Sequence, residues 1–243
     1  MNPILYTAAG SANKAILSQH VRSNNMANSN TTGFKAVLER STPIFRGGDG
    51  FETSTTSRSN STGVDFSAGE LTRTGRALDL AINGNGFFAV LDDQGNESYT
   101  RAGNVTASKN GTLMVNNRDV LDENGAPIVL PIYQDLNISE KGIVNIVPNG
   151  GGASVTVAKV KLVNPSLENL TLNKGGTFDS NVPLESDSSV IMASGYLESS
   201  NVSPITEMMA VMMSTRQYEI QVKMMKAADK LAASGNQLVS ARG

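Results

Sequence analysis

Chemistry in a protein needs reactive side chains that can converge, and this chain carries few. Its single histidine, His20, sits among polar neighbours, and with no cysteine and no second histidine nothing can complete a metal site or a nucleophile–base pair. Gly84-Asn85-Gly86-Phe87-Phe88-Ala89 fits the letters of a dinucleotide fingerprint. That fingerprint works only where a strand leads into a helix, and these glycines lead into Phe-Phe-Ala-Val-Leu, a strand sequence, so they are read as a hairpin turn. The acid clusters Asp92-Asp93 and Asp119/Asp122/Glu123 could in principle hold calcium or act as acid and base. They fall in turn sequence of the Asp-Asp-Gln-Gly-Asn type, where carboxylates are solvated and serve the turn. There is no P-loop lysine motif, no GxSxG and no HExxH. The expectation is no enzyme, no cofactor, no metal and no small-molecule substrate.

Composition points the same way. With 243 residues, 39% hydrophobic, and only five Tyr, seven Phe and no Trp, the chain can build one modest core. A net charge of −2 with scattered Lys and Arg excludes the basic stripe of a nucleic-acid binder. The absence of cysteine excludes disulfides and thiolate metal sites and suits an oxidising compartment. No cleavable signal peptide is expected, since the first basic residue is Lys14 and Ile4-Leu5-Tyr6 is too short an apolar region.

The elements that would position any functional residue differ sharply between the ends and the middle. Asn2-Pro3 and Ser203-Pro204 each place a capping residue before a proline, the signature of a helix start. Over 3–28 a stripe steps through Leu5, Ala9, Ala12, Ile16, Gln19, Ser23 and Met26, a coiled-coil spacing with small and polar residues on much of the seam. Asn24, Asn25, Asn28, Asn30 and Gly33 then supply a stop. Over 204–240 a second helix steps through Met208, Val211, Thr215, Tyr218, Val222 and Met225. Six of the ten methionines lie on it, and with Met209, Met212, Met213 and Met224 they occupy more than one face. One short partner helix cannot cover that surface, so packing against neighbouring subunits is expected through Leu5, Ala9, Ala12, Ile16, Met26, Met208, Val211, Met212, Thr215, Tyr218, Val222 and Met225.

Between the helices, 41–65 is Ser/Thr/Gly-rich, with no apolar residue from Thr53 to Gly63, and reads as an extended linker. From Phe66 short β-forming runs alternate with Asn-Gly turns at Asn83-Gly84, Asn110-Gly111 and Asn124-Gly125, each a hairpin candidate. The division expected is therefore 1–40 and 200–243 helical, 41–65 linker, and 66–199 a mainly antiparallel β domain.

Several segments in this order resemble a known family. Ser23-Asn24-Asn25-Met26-Ala27-Asn28 followed by Thr31-Thr32-Gly33-Phe34-Lys35 is similar to the A-N-N-L-A-N-x-x-T-x-G-F-K signature of flagellar basal-body rod and hook proteins, with Ser23 for Ala and Met26 for Leu. Arg76 through Phe88, Tyr99-Thr100-Arg101-Ala102-Gly103, and Gly195-Tyr196-Leu197-Glu198-Ser199-Ser200-Asn201-Val202 resemble further stretches of that family. Its motif residues here are Asn24, Asn25, Ala27, Asn28, Thr31, Gly33, Phe34 and Lys35. Within the family the opening Ile4–Ala8 and the segments Glu219–Lys223 and Asn236–Leu238 resemble a proximal rod member, and the stretch after Lys35 is shorter than in the distal one.

The resemblance implies an α+β fold, with N- and C-terminal helices paired as a coiled coil in an inner tube and the β domain inserted between them. It implies a non-enzymatic subunit of the periplasmic rod that transmits torque from motor to hook, exported through the flagellar type III apparatus. Its partners would be copies of itself and the rod subunits FlgB, FlgC and FlgG. The alternatives are a distal rod or hook paralogue with the same fold, and a secreted β-domain adhesin whose helices pair within one chain.

Overall fold

The computed structural model describes residues 3–45, 55–173 and 175–240. Their contacts group into two units, one drawn from 1–29, 36–65 and 202–243, the other from 30–35 and 66–201.

The first unit holds both helices, α1 (Pro3–Ala27) and α2 (Pro204–Ser240), packed extensively against each other. Both begin at a proline, Pro3 and Pro204. Ser203 receives the Glu207 N–H on its carbonyl at 3.1 Å and the Thr206 hydroxyl on its own hydroxyl at 3.1 Å. Arg22, near the end of α1, donates to Glu207, in the first turn of α2, at 3.0 Å, so the helices run antiparallel. The seam is built from small residues: Ala8, Ala12 and Ala15 of α1 and Ala228 of α2 are buried. Small side chains let two backbones approach closely but remove little apolar area from water.

The same unit contains an antiparallel strand pair, Val37–Phe45 with Thr55–Val64, in register from Val37↔Val64 to Phe45↔Thr55 with one shift between Arg40 and Ser41. The linker expected over 41–65 is thus replaced by strand at 41–45 and 55–64, while 46–54 lie outside the described residues. The physical reason is that a two-stranded pair is held by main-chain hydrogen bonds, which Ser and Thr supply as well as any residue.

The second unit is antiparallel throughout. A five-stranded sheet runs Leu162–Val163, Phe87–Leu91, Glu97–Thr100, Phe178–Ser180, Leu170–Leu172 in spatial order. Tyr133–Ile138, Ile143–Pro148 and Val155–Lys159 form a three-stranded sheet, as do Val105–Ala107, Leu113–Val115 and Arg118–Asp119. Leu80–Asn83 pairs with Ile191–Ser194, and Leu71–Arg73 with Tyr196–Glu198. Leu80, Phe88, Leu113, Ile128, Val144 and Met192 are among the residues of one continuous core. The run Phe87–Leu91 is apolar at every position because four of its five residues are buried.

The hairpin expected at Asn83–Gly86 is not formed. Leu80–Asn83 and Phe87–Leu91 flank that loop but pair with Ile191–Ser194 and Glu97–Thr100. The glycines instead carry the chain from one sheet to another: Gly86 has φ +134°, and a Cβ there would lie 2.6 Å from a Val190 methyl. At Asn110-Gly111 a hairpin does form, between Val105–Ala107 and Leu113–Val115.

Candidate functional site

The residues that could have carried catalysis are dispersed. His20 is exposed on α1. The Asp92 carboxylate closes its own turn, accepting from the Gln94 and Asn96 N–H groups at 2.8 and 2.7 Å, and these bonds hold it below the usual carboxylate range. Asp122 likewise closes its own turn, its carboxylate accepting from the Asn124 and Ala126 N–H groups at 2.9 and 2.8 Å, and Glu123 is paired with Lys159 at 2.6 Å. Among the described residues no three acid or imidazole groups are placed to share a metal ion.

What the structure does assemble is two buried polar clamps, both built from the Asn24–Lys35 signature. In the helical unit, Asn25 is fully buried on α1. Its amide nitrogen donates to the Val37 carbonyl and its amide oxygen accepts from the Val37 N–H, both at 2.9 Å. The side chain thus imitates a neighbouring strand, tying the start of the strand pair to the end of the helix. Neither Val37 group is left unpaired. Asn28 ends the helix, with its side chain donating to the Asn24 carbonyl at 3.0 Å.

In the β unit, three charged residues far apart in sequence meet out of solvent. Lys35 Nζ lies 2.6 Å from Glu198 Oε1, and Arg101 Nη1 lies 3.1 Å from Glu198 Oε2. The Gly69 N–H is a third donor to the carboxylate, reaching Oε1 at 2.9 Å. Two cations against one carboxylate leave an excess positive charge. Polar oxygens and one aromatic ring absorb it: Lys35 also donates to the Ser67 carbonyl at 2.7 Å, Arg101 to the Gly84 carbonyl at 2.6 Å, and the guanidinium lies 5.2 Å from the centre of the Phe87 ring. Burial pushes the Arg101 guanidinium below its ordinary value, against the pull of the Glu198 carboxylate. Phe87 in turn packs edge-on to Phe66 and Phe178, with ring centres 5.9 and 5.5 Å away.

Gly33 completes this clamp. Its N–H donates to the Glu198 carbonyl at 2.7 Å, its φ is +68°, and a Cβ there would lie 2.3 Å from the Ala102 nitrogen and the Arg101 carbonyl carbon. Only glycine fits a position that is both left-handed and pressed against another backbone. The signature therefore reads as structural chemistry: Asn25 and Asn28 finish the helix, Gly33 permits the close approach, and Lys35 delivers the charge. Asn24, Ala27 and Thr31 are exposed, and Phe34 is half-buried.

Elsewhere in the β unit Asp79 is held by Arg76, whose Nε donates at 2.9 Å. Burial pushes the Asp79 carboxyl up, but the hydrogen bonds from Arg76 and Thr74 and the Arg76 charge outweigh it and hold it below its usual range.

The residues expected at subunit interfaces split into two sets. Ala12 is buried, and Leu5, Ile16, Val211, Thr215, Val222 and Met225 are half-buried. Ala9, Met26, Met208, Met212 and Tyr218 are exposed. On α1 the buried stripe runs through Ala8, Ala12, Ala15 and Asn25, so it is rotated from the Ala9–Ile16–Met26 line. On α2 the side facing α1 carries Glu207, Val211, Met225 and Ala228, while Ile205, Met209, Met212, Met213, Ile220 and Met224 lie on the opposite side and are uncovered. Arg101 and Glu198 stand in the sequence inside longer motifs. Their signal was a single charge inside an otherwise apolar or small-residue segment, as in Tyr196-Leu197-Glu198.

Known proteins with this sequence pattern share these segments. Residues 5–35 match the family described as "Flagella basal body rod protein", 81–146 the "Flagellar hook protein FlgE/F/G D1 domain", and 193–238 the "Flagellar basal body rod FlgEFG protein C-terminal". The flagellar basal-body rod protein FlgF of Salmonella typhimurium is 32% identical over 251 residues, covering 99% of each chain. FlgF of Escherichia coli is 30% identical over 250 residues, again 99% of each. The rod protein FlgG of Buchnera aphidicola subsp. Acyrthosiphon pisum is 28% identical over 272 residues, 98% of this chain and all of its own. Each clamp residue of the signature lies in a matched segment, and the relatives align from end to end; the chain belongs to the flagellar basal-body rod protein family.

Proposed function

We propose that this chain is a non-enzymatic structural subunit of the proximal part of the rod in the bacterial flagellar basal body, spanning the periplasm and passing torque from motor to hook. Its neighbours in this reading are further copies of itself and the rod subunits FlgB, FlgC and FlgG, and it reaches them through the flagellar export apparatus. The observation that carries the reading is the uncovered apolar side of α2, opposite its contact with α1. An exposed row of Ile and Met on a long helix is stable in water only when something else buries it. Torque transmission needs subunits locked by close packing, and flexible Met side chains conform to non-equivalent neighbours. Leu5, Ala12, Ile16, Val211, Thr215, Val222 and Met225 serve the helix pair in this reading. Ala9, Met26, Met208 and Met212 face adjoining subunits, and Tyr218, on the line of Val211 and Met225 but 37% exposed, meets them at the edge of the helix pair.

Met212→Asp puts a charge on the uncovered side without touching the helix pair. The expected result is loss of incorporation into rods with the β unit still folded by circular dichroism. Normal incorporation of that variant would count heavily against this face as the packing surface. The similarity to FlgG supports a second axial position, in the distal rod. Cross-linking from Met212→Cys to FlgB or FlgC favours the proximal position, and cross-linking to FlgG alone favours the distal.

A further inference from the structure

We infer that the uncovered side of α2 is an oxidation-sensitive surface, at which conversion of methionine to methionine sulfoxide blocks assembly. The inference rests on the reading above, that this side is buried between subunits. The chain has no cysteine, so its reactive sulfur is all thioether, and six of its ten methionines lie on one helix. Met208, Met209, Met212 and Met213 fall within two turns and are 49%, 46%, 50% and 68% exposed, with Met224 at 46% further along. Met192, by contrast, is fully buried in the β core. One molecule therefore carries both a reactive cluster and its own protected control.

The reaction is with a peroxide. A sulfur lone pair attacks one peroxide oxygen, the O–O bond breaks and an S–O bond forms. Sulfur is oxidised by two electrons, and the other oxygen of hydrogen peroxide leaves as hydroxide, which takes the proton from the transferred oxygen and becomes water. The product replaces a flexible apolar side chain with a polar acceptor, and reductases specific for sulfoxides can restore it. Four such acceptors within two turns would face a neighbour that offers apolar surface, each losing its water without a partner. Once a neighbour covers the side, the same sulfurs are shielded. The window of sensitivity is thus the free subunit.

The test treats the full chain with hydrogen peroxide and locates added oxygen by peptide mass mapping, then measures co-assembly with purified FlgB, FlgC and FlgG by sedimentation. Met208, Met209, Met212, Met213 and Met224 are expected to oxidise at least about tenfold faster than Met192. Oxidised protein is expected to lose sedimentable assembly while untreated protein keeps it. A variant with Met208, Met209, Met212, Met213 and Met224 all changed to Leu should assemble with or without peroxide. Equal oxidation at Met192, or full assembly of protein bearing sulfoxides at those positions, overturns the inference. Failure of untreated wild type and of the Leu variant alike to assemble overturns the packing reading itself, and the inference with it.

Discussion

Lys35 and Glu198, separated by 163 residues of chain, meet at 2.6 Å with both side chains withdrawn from solvent. One comes from the end of the signature, past the first helix, and the other from the strand that precedes the second. Arg101, from the middle of the chain, holds the other oxygen of the same carboxylate. Three short motifs, widely spaced in this sequence, thus each supply one corner of a single buried charge cluster.

Glu198→Gln is expected to destabilise the β unit strongly, by about 3–5 kcal/mol, because it strands two buried cations. A triple variant, Lys35→Met, Arg101→Met and Glu198→Leu, should recover most of that loss, since a buried ion cluster is often replaceable by apolar groups of similar size. Urea unfolding of the three proteins checks this. A triple variant as unstable as the single one would show that shape, not charge, governs the site.

Gly33→Ala should cost more than about 1 kcal/mol, from the left-handed backbone and the collision with the 101–102 peptide. Gly10→Ala is the matched control. It sits in α1 with open space around its missing Cβ, and should stabilise by about 0.5–1 kcal/mol. Thermal unfolding of the pair should move in opposite directions; a shared direction would contradict the packing at Gly33.

Asn25→Leu preserves side-chain volume but leaves the Val37 N–H and carbonyl without their partner. A loss of about 1–3 kcal/mol is expected. Hydrogen exchange gives a sharper view: the Val37 amide should lose protection while amides of the β core, such as Val144, keep theirs. Unchanged protection at Val37 would mean that another group supplies the bond.

Acid should weaken the β unit through Asp79 and Asp92. Both carboxyls are held below their ordinary value of 3.8 in the folded chain. A group depressed in this way stabilises fully above its unfolded value, and the contribution drains away as pH falls through the folded one. The urea midpoint should therefore be flat down to roughly pH 5 and fall below it. Asp79→Asn should flatten that fall. A midpoint that rises on acidification would reverse the sign and exclude these two groups as the cause.

The sequence made the helices legible because their starts are chemical, a capping residue and a proline, and their stripes are long. It placed the α1 seam one residue off, at Ala9 and Ile16 rather than Ala8 and Ala15, because with alanines all along the helix hydrophobicity hardly distinguishes adjacent lines. The strand pair at 37–64 escaped because Ser and Thr show no alternation of apolar and polar residues, the signal by which half-buried strands are read. Asn83–Gly86 misled because positive φ serves a crossing between sheets as well as a hairpin. The charge cluster escaped for a different reason. Lys35, Arg101 and Glu198 each stood in view, but nothing local says which charges at such separations will pair.

Glu198 lies three residues from the end of the β unit at 201, whereas the two cations it neutralises come at 35 and 101. A chain delivered with its amino end first thus presents both cations long before their counter-ion arrives. Closing the unit before Glu198 is in place would bury two cations without compensation, which disfavours early closure. The last strand acts as a clasp, and arrival order becomes a property written into the fold.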